Sequence, residues 1–252
     1  MRLRGKAAIV TGGGSGFGAG IAALFAEEGS GVVVADVNGP AAEEVAGRIA
    51  AVGGSAVAVT ADVTRDADTG RMVEAATARF GRLDVLVNNA GVTHANQPLT
   101  DVTEADFDRV VAVNVKALFW AAKHAVPVMK GQDGGGVIIN TASTAGLRPR
   151  PGLCWYNGSK GAAITITKSM AVELAPFKVR VNALCPVAGE TPLLASFMGG
   201  DTPENRARFV ASVPLGRLST PLDVARAALW LASDEAAFIT GVALEVDGGR
   251  CV

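Results

Sequence analysis

Seven short runs rich in apolar and β-branched residues recur along the chain: AAIVT (7–11), GVVVAD (31–36), AVAVT (56–60), DVLVNNAG (84–91), GVIINTAS (136–143), VRVNALCP (179–186) and VALEVDGG (242–249). Between them lie longer segments such as FGAGIAALFAEEG and PAAEEVAGRIAAVG, where apolar residues recur every three to four positions and a glycine ends the pattern. The first pattern predicts strands and the second amphipathic helices. The strands are apolar almost throughout rather than alternating, so both their faces are expected to be buried. Seven strands alternating with about six helices predict an α/β fold, a Rossmann-type doubly wound parallel sheet in a three-layer α/β/α sandwich.

No linker, repeat or low-complexity tract breaks this rhythm, which predicts a single catalytic domain over 1–252. One stretch departs from it: GETPLLASFMGGDTPENRARFVASVP, 189–214, where prolines and glycines punctuate two short helical pieces. It follows the sixth strand, at the carboxyl edge of the sheet where open α/β folds bind ligands. A long insertion there is expected to cover substrate as a lid.

Composition narrows the function. Apolar residues make up 49% of the 252, enough for a large core, and 23 basic against 24 acidic residues leave almost no net charge. That gives no electrostatic reason to expect nucleic acid or an acidic membrane as partner. No stretch approaches the roughly twenty apolar residues a membrane span needs, and the start, MRLRGKAAIVTGGG, reads as a first strand rather than a signal peptide. Cys154, Cys185 and Cys251 are odd in number and lack a CxxC, so neither a disulfide framework nor a zinc site is expected and a reducing cytoplasm suits them. Two histidines are too few for a typical metal cage.

The candidate chemistry begins directly after the first strand, at TGGGSGFG (11–18). Gly12, Gly16 and Gly18, with Ser15 and Phe17 between them, suit a tight turn whose backbone approaches a pyrophosphate at a helix N-terminus. Asp36 ends the second strand, where a carboxylate can accept both adenosine ribose hydroxyls and repel a 2′-phosphate, which favours NAD over NADP. Asp62 and Val63 follow the third strand and suit the adenine; Asn89, Ala90 and Gly91 close the fourth and can line the cofactor. Tyr156, the only tyrosine, precedes Lys160 by four positions and so shares a helical face with it. Ser143 ends the fifth strand and faces the same crevice. On residue type alone, Asn114 equally suits a helical residue bonding backbone carbonyls.

With TGGGSGFG, Asp36, NNAG, Ser143 and Tyr156-x-x-x-Lys160 in this order, the chain resembles the short-chain dehydrogenase/reductase family, nearly end to end as far as VDGG at 246–249. The resemblance implies an NAD(P)-dependent oxidoreductase, a homotetramer or homodimer acting on small-molecule alcohols or ketones. It implies Tyr156 as general acid/base, Lys160 as the group that holds the nicotinamide ribose and lowers the phenol pKa, Ser143 as the residue that orients the substrate oxygen, and Asn114 as support for a proton relay. Pro186, Gly189 and Thr191 fall where the family meets the nicotinamide carboxamide. One departure stands out: Val187 follows Pro186 where the family has glycine.

Candidate substrate residues are His94 and Asn96 after NNAG, Leu153 and Trp155 beside the tyrosine, and Leu193, Leu194, Phe197 and Met198 in the lid. This mainly apolar set suits a medium-sized secondary alcohol or ketone. His94 is read either as donor to a second substrate oxygen or as a solvated loop residue. Arg148 and Arg150, in LRPRPG, are expected in a solvated turn rather than on an anion. The alternatives are a 3-oxoacyl-thioester reductase of the same fold, whose usual NADP preference Asp36 disfavours, and a non-catalytic nucleotide-binding regulator. An adenosylmethionine-dependent methyltransferase leaves Tyr156, Lys160 and NNAG without a use.

Overall fold

The structure, a computed structural model, describes residues 1–252. Its strands are β1 (Ala7–Thr11), β2 (Gly31–Asp36), β3 (Ser55–Thr60), β4 (Val85–Asn88), β5 (Gly136–Thr141), β6 (Val179–Pro186) and β7 (Ala243–Val246). All seven pair in parallel in one sheet, in the order β3-β2-β1-β4-β5-β6-β7. The apolar runs of β1, β4 and most of β2, β5 and β6 are buried, as two-sided coverage requires. The edge strands β3 and β7 are only half-buried. The runs at 84–91 and 136–143 are longer than the strands they form. NAG and AS leave the hydrogen-bond ladder to become loops at the carboxyl edge.

The helices are α1 (Gly16–Glu27), α2 (Gly39–Ala51), α3 (Asp66–Phe80), α4 (Glu104–Val111), α5 (Ala117–Lys130), α6 (Cys154–Leu174), α7 (Leu194–Met198), α8 (Pro203–Ala211) and α9 (Pro221–Ala232). That is more than the six expected. One long segment is divided at a π-helical turn, Ala112–Lys116, and the stretch after β6 holds the short α7 and α8. Helices α1, α2 and α9 cover one face of the sheet, with Ile21, Phe25, Val45, Ile49, Val224 and Leu229 packed on Val10, Val34 and Val87. Helices α3, α5 and α6 cover the other, with Met72, Met129 and Leu174 against Ile9, Val33 and Ile138. Fully burying one such side chain stabilises the fold by about 1.5–3 kcal/mol.

The chain moves outward from β1 to β3, then crosses back to place β4 on the other side of β1. The connections leaving β1 and β4 therefore diverge to opposite faces, and a crevice opens at their carboxyl ends. The glycine loop, Asp36, Asn89, Ala90, Gly91, Ser143 and Tyr156 lie along this edge. No helix is long and apolar enough to cross a membrane.

Candidate active site

A cleft of about 650 Å³ runs along the carboxyl edge. At one end β1 stops at Thr11 and Gly12 turns with φ +61°, the left-handed region that favours glycine. A side chain there would press within 3.0 Å of the Ala90 backbone, and one at Gly18 would collide with the Gly12 carbonyl oxygen. The turn, the first coil of α1 and the end of β4 thus lie in direct contact. Gly12, Ser15, Gly16 and Phe17 line the cleft, while Gly18 lies behind them as the packing point. Ser15 is the N-cap of α1, yet its hydroxyl makes no capping bond, so the first amides of the helix keep no side-chain partner.

Asp36 lines the same end. One carboxylate oxygen accepts the Gly14 amide and the other the Asn38 amide, each at 2.9 Å. The carboxylate is fixed against the glycine loop and retains lone pairs for further donors. Its neighbour Val37 is apolar and 72% exposed, so the adjacent position offers no cation. Asp62, Val63 and Thr64 continue the wall, with Asp62 accepting both the amide and the hydroxyl of Thr64. Asn89 lines the cleft with Ala90 and Gly91, but its side-chain amide donates to the carbonyls of Thr11 and Gly12 and ties β4 to the glycine loop. A backbone cradle a side chain would fill, open helix-end amides and a fixed carboxylate at the end of β2 together fit a dinucleotide.

At the other end α6 presents Tyr156 and Lys160, both buried, on one face. The Lys160 ammonium donates to the Thr141 carbonyl at 2.7 Å and lies 5.9 Å from the centroid of the Tyr156 ring. Burial pushes the Tyr156 phenol up to about 12, against the opposing pulls of the Ser143 hydroxyl and the Arg150 charge. Burial likewise pushes Lys160 down to about 8. The expectation that Lys160 lowers the phenol pKa therefore differs from the free protein, where desolvation dominates. Ser143 lines the cleft, and its hydroxyl accepts the Ala145 amide.

Asn114 stands behind this pair rather than in the cleft. Its Oδ1 accepts the Val92 amide at 2.9 Å, and its Nδ2 donates to the Val92 carbonyl at 2.9 Å and to Ser159 Oγ at 3.0 Å. Ser159 in turn donates to the Tyr156 carbonyl at 2.7 Å. The π turn that holds Asn114 is a feature periodicity does not register, and such turns concentrate at functional sites.

Several candidate substrate residues lie elsewhere. His94 is neither solvated nor on the cleft: it is 1% exposed, its Nδ1 bonds the Ala95 carbonyl at 2.7 Å, and its Nε2 accepts the Tyr156 amide at 3.4 Å. The ring substitutes for the side-chain cap that Leu153, the N-cap of α6, lacks. Trp155 points outward, its Nε1 donating to the Leu99 carbonyl and its ring meeting Phe107 edge-on at 5.4 Å. One residue along a helix turns the side chain by about 100°, which takes Trp155 off the face of Tyr156. Leu153 is buried behind the tyrosine with Ala145, and Leu194 packs with Ala188, Met198 and Leu218 beneath the lid segment. Phe197 does line the cleft, its ring 5.2 Å from that of Tyr156, and Leu193 joins it.

Pro186, Gly189 and Thr191 also line the cleft. Val187 sits in its wall, 6% exposed, with its amide on the Val246 carbonyl. The position where space demands glycine is Gly189, where a side chain would run into the Phe17 ring and the Ser219 hydroxyl. Residues that sequence reasoning passes over include Val92, Arg109 and Val113, and Arg150, expected in a solvated turn, lines the cleft instead. The flanking Pro149 and Pro151 are the one local hint that Arg150 is held in place.

A family profile described as Enoyl-(Acyl carrier protein) reductase matches residues 12–250. The chain is 52% identical over 251 residues to a 4-formylbenzenesulfonate dehydrogenase of Comamonas testosteroni, covering 99% of each. It is 40% identical over 251 residues to a 2,5-dichloro-2,5-cyclohexadiene-1,4-diol dehydrogenase of Sphingobium indicum, covering 100% of this chain and 98% of that one. Among solved structures, a 3-ketoacyl-(acyl-carrier-protein) reductase from Brucella melitensis complexed with NADH superposes with a TM-score of 0.93 at 49% identity, over 99% of this chain and 100% of the other. With the parallel sheet and the glycine loop, these matches show that the chain belongs to the short-chain dehydrogenase/reductase family and is an oxidoreductase using a nicotinamide cofactor.

Proposed function

We propose that the protein is an NAD-dependent oxidoreductase interconverting a secondary alcohol and a ketone, with Tyr156 as general acid/base. The observation that carries this reading is the buried pair Tyr156 and Lys160 on one face of α6, at the end of a cleft that Ser143 also lines. In the cleft, Gly12, Ser15, Gly16 and Phe17 with the amides of α1 hold the pyrophosphate, and Asp36 holds the adenosine ribose. Asp62 and Val63 border the adenine, Asn89, Ala90 and Gly91 line the middle, and Pro186, Gly189 and Thr191 meet the carboxamide. The bound nicotinamide supplies the hydride donor or acceptor.

The remaining chemistry belongs to side chains. A buried phenol titrating near 12 is protonated at neutral pH, so Tyr156 is the acid that protonates the substrate oxygen on reduction. On oxidation the Tyr156 phenolate takes the alcohol proton; its formation, with the phenol proton passed to solvent, needs positive charge nearby, of which Lys160, which also binds the nicotinamide ribose, contributes part. The Ser143 hydroxyl orients the substrate oxygen as charge develops on it. Asn114 holds α6 through Ser159 and so sets the position of the phenol.

NAD preference rests on Asp36, which a 2′-phosphate would approach at unfavourable charge with no cation at Val37. The same carboxylate disfavours the 3-oxoacyl-thioester alternative in its NADP-dependent form. Residues 189–214 are read as a lid because Leu193 and Phe197 reach the cleft from it. Exposed apolar side chains, Phe119 on α5 and Phe238 ahead of β7, suit the expected homo-oligomer, and three free thiols suit a reducing cytoplasm.

The test is a panel of secondary alcohols and ketones followed by NADH absorbance, repeated with Tyr156→Phe. Loss of about a hundredfold or more in kcat, with NADH still bound, supports the assignment; near-wild-type turnover overturns it.

A further inference from the structure

Beyond the nucleotide end and the tyrosine, the cleft wall holds a cation that the reaction as described does not use. Arg150, in the connection from β5 to α6, is half-buried. No acidic group acts on it: the charges it feels are those of Arg250 and Tyr156, and burial pulls its pKa below the ordinary arginine value. Desolvating a guanidinium without a counter-charge is unfavourable unless something holds it there.

Two contacts do. The Asn157 side chain donates to the Arg150 carbonyl at 2.8 Å, fastening the loop to the helix that carries Tyr156 and Lys160. The guanidinium sits 4.6 Å from the centre of the Phe209 ring on α8, within the stretch read as a lid. By contrast Arg109, the other arginine of the cleft wall, is paired with Asp106 and the Thr93 carbonyl. Arg150 thus lies on the substrate side, by the phenol and the lid, and opposite the end where Asp36 and the glycine loop stand. It keeps unused donors in a fork that matches two oxygens of one anion.

We propose that Arg150 is a substrate-specificity residue: it binds an anionic group, a carboxylate or sulfonate, carried by the substrate on an apolar body that Phe197 and Leu193 contact. This rests on the oxidoreductase reading for the word substrate, while the anion site itself stands on the position of Arg150.

The experiment measures binding of matched probes to the enzyme saturated with NADH, by change in NADH fluorescence: benzoate against benzamide, with wild type, Arg150→Met and Arg150→Lys. Wild type is expected to prefer benzoate, and Arg150→Met to lower the benzoate-to-benzamide affinity ratio by about tenfold or more, the size of one charge-assisted interaction. Arg150→Lys, which keeps the charge and loses the fork, is expected to retain part of the ratio. A ratio unchanged in Arg150→Met, or no benzoate binding to wild type, overturns the proposal. So does a loss of NADH affinity in Arg150→Met of more than about threefold, which would place the arginine on the dinucleotide. Binding is read without turnover, so an anion site on an enzyme inactive towards alcohols would refute the proposed function and leave this inference standing.

Discussion

Asn114 and Ser159 are joined by a 3.0 Å hydrogen bond that carries the π turn between α4 and α5 to the helix of Tyr156, since Ser159 passes the connection to the Tyr156 carbonyl. Both amide hydrogens of Asn114 are engaged, one on Ser159 and one on Val92.

Replacing Asn114 by alanine should therefore act on the fold as well as on the reaction. Each buried partner left unsatisfied costs about 1–3 kcal/mol, and each kcal/mol lowers the melting temperature by roughly 2–4 °C in a chain of this size. Calorimetry is expected to show a drop of several degrees, alongside lower kcat. An unchanged melting temperature with lost turnover would mean that Asn114 acts only in the proton path.

Asp36→Asn tests coenzyme choice. It removes the negative charge while keeping an oxygen for the Gly14 or Asn38 amide. The ratio of kcat/KM with NAD to that with NADP is expected to fall by about tenfold or more. An unchanged ratio, or a wild type that favours NADP, contradicts the role given to this carboxylate.

The segment 189–214 offers a third test. Helix α8 has no fully buried residue, and the segment is held chiefly by a small cluster of Ala188, Leu194, Met198 and Leu218. Such a weakly buried segment opens at low free energy. Its amides are expected to exchange quickly in the free enzyme and several-fold more slowly with NADH and a substrate analogue bound. Equal rates in both states contradict a lid.

The parts of the site legible in the sequence are those built from contiguous chain. β1, the glycine loop and α1 follow one another directly, so Gly12, Ser15, Gly16 and Phe17 reach the cleft by local geometry. Tyr156 and Lys160 are one helical turn apart, which fixes their common face. The residues misplaced from sequence depend on tertiary contacts. His94 is buried because its ring meets the start of α6, 62 positions away. Trp155 lies outward because α4 and the turn before it supply Phe107 and the Leu99 carbonyl. Arg150 reads as a turn residue until α8 brings Phe209 over it. The phenol pKa depends on tertiary structure in the same way: the spacing places a cation near Tyr156, whereas the elevation in the cofactor-free protein comes from burial by the whole fold.

Because Tyr156 is the only tyrosine, its ionisation can be read as tyrosinate absorbance from one site. Its folded pKa is raised, to about 12, so the folded enzyme keeps the phenol proton at pH values where an exposed phenol loses it. At pH about 10, where a free phenol is half-ionised, the cofactor-free enzyme should show little tyrosinate signal, and saturating NAD should increase it. Half-ionisation at that pH in folded, cofactor-free enzyme, with no response to NAD, would contradict Tyr156 as a buried acid/base tuned by its bound cofactor.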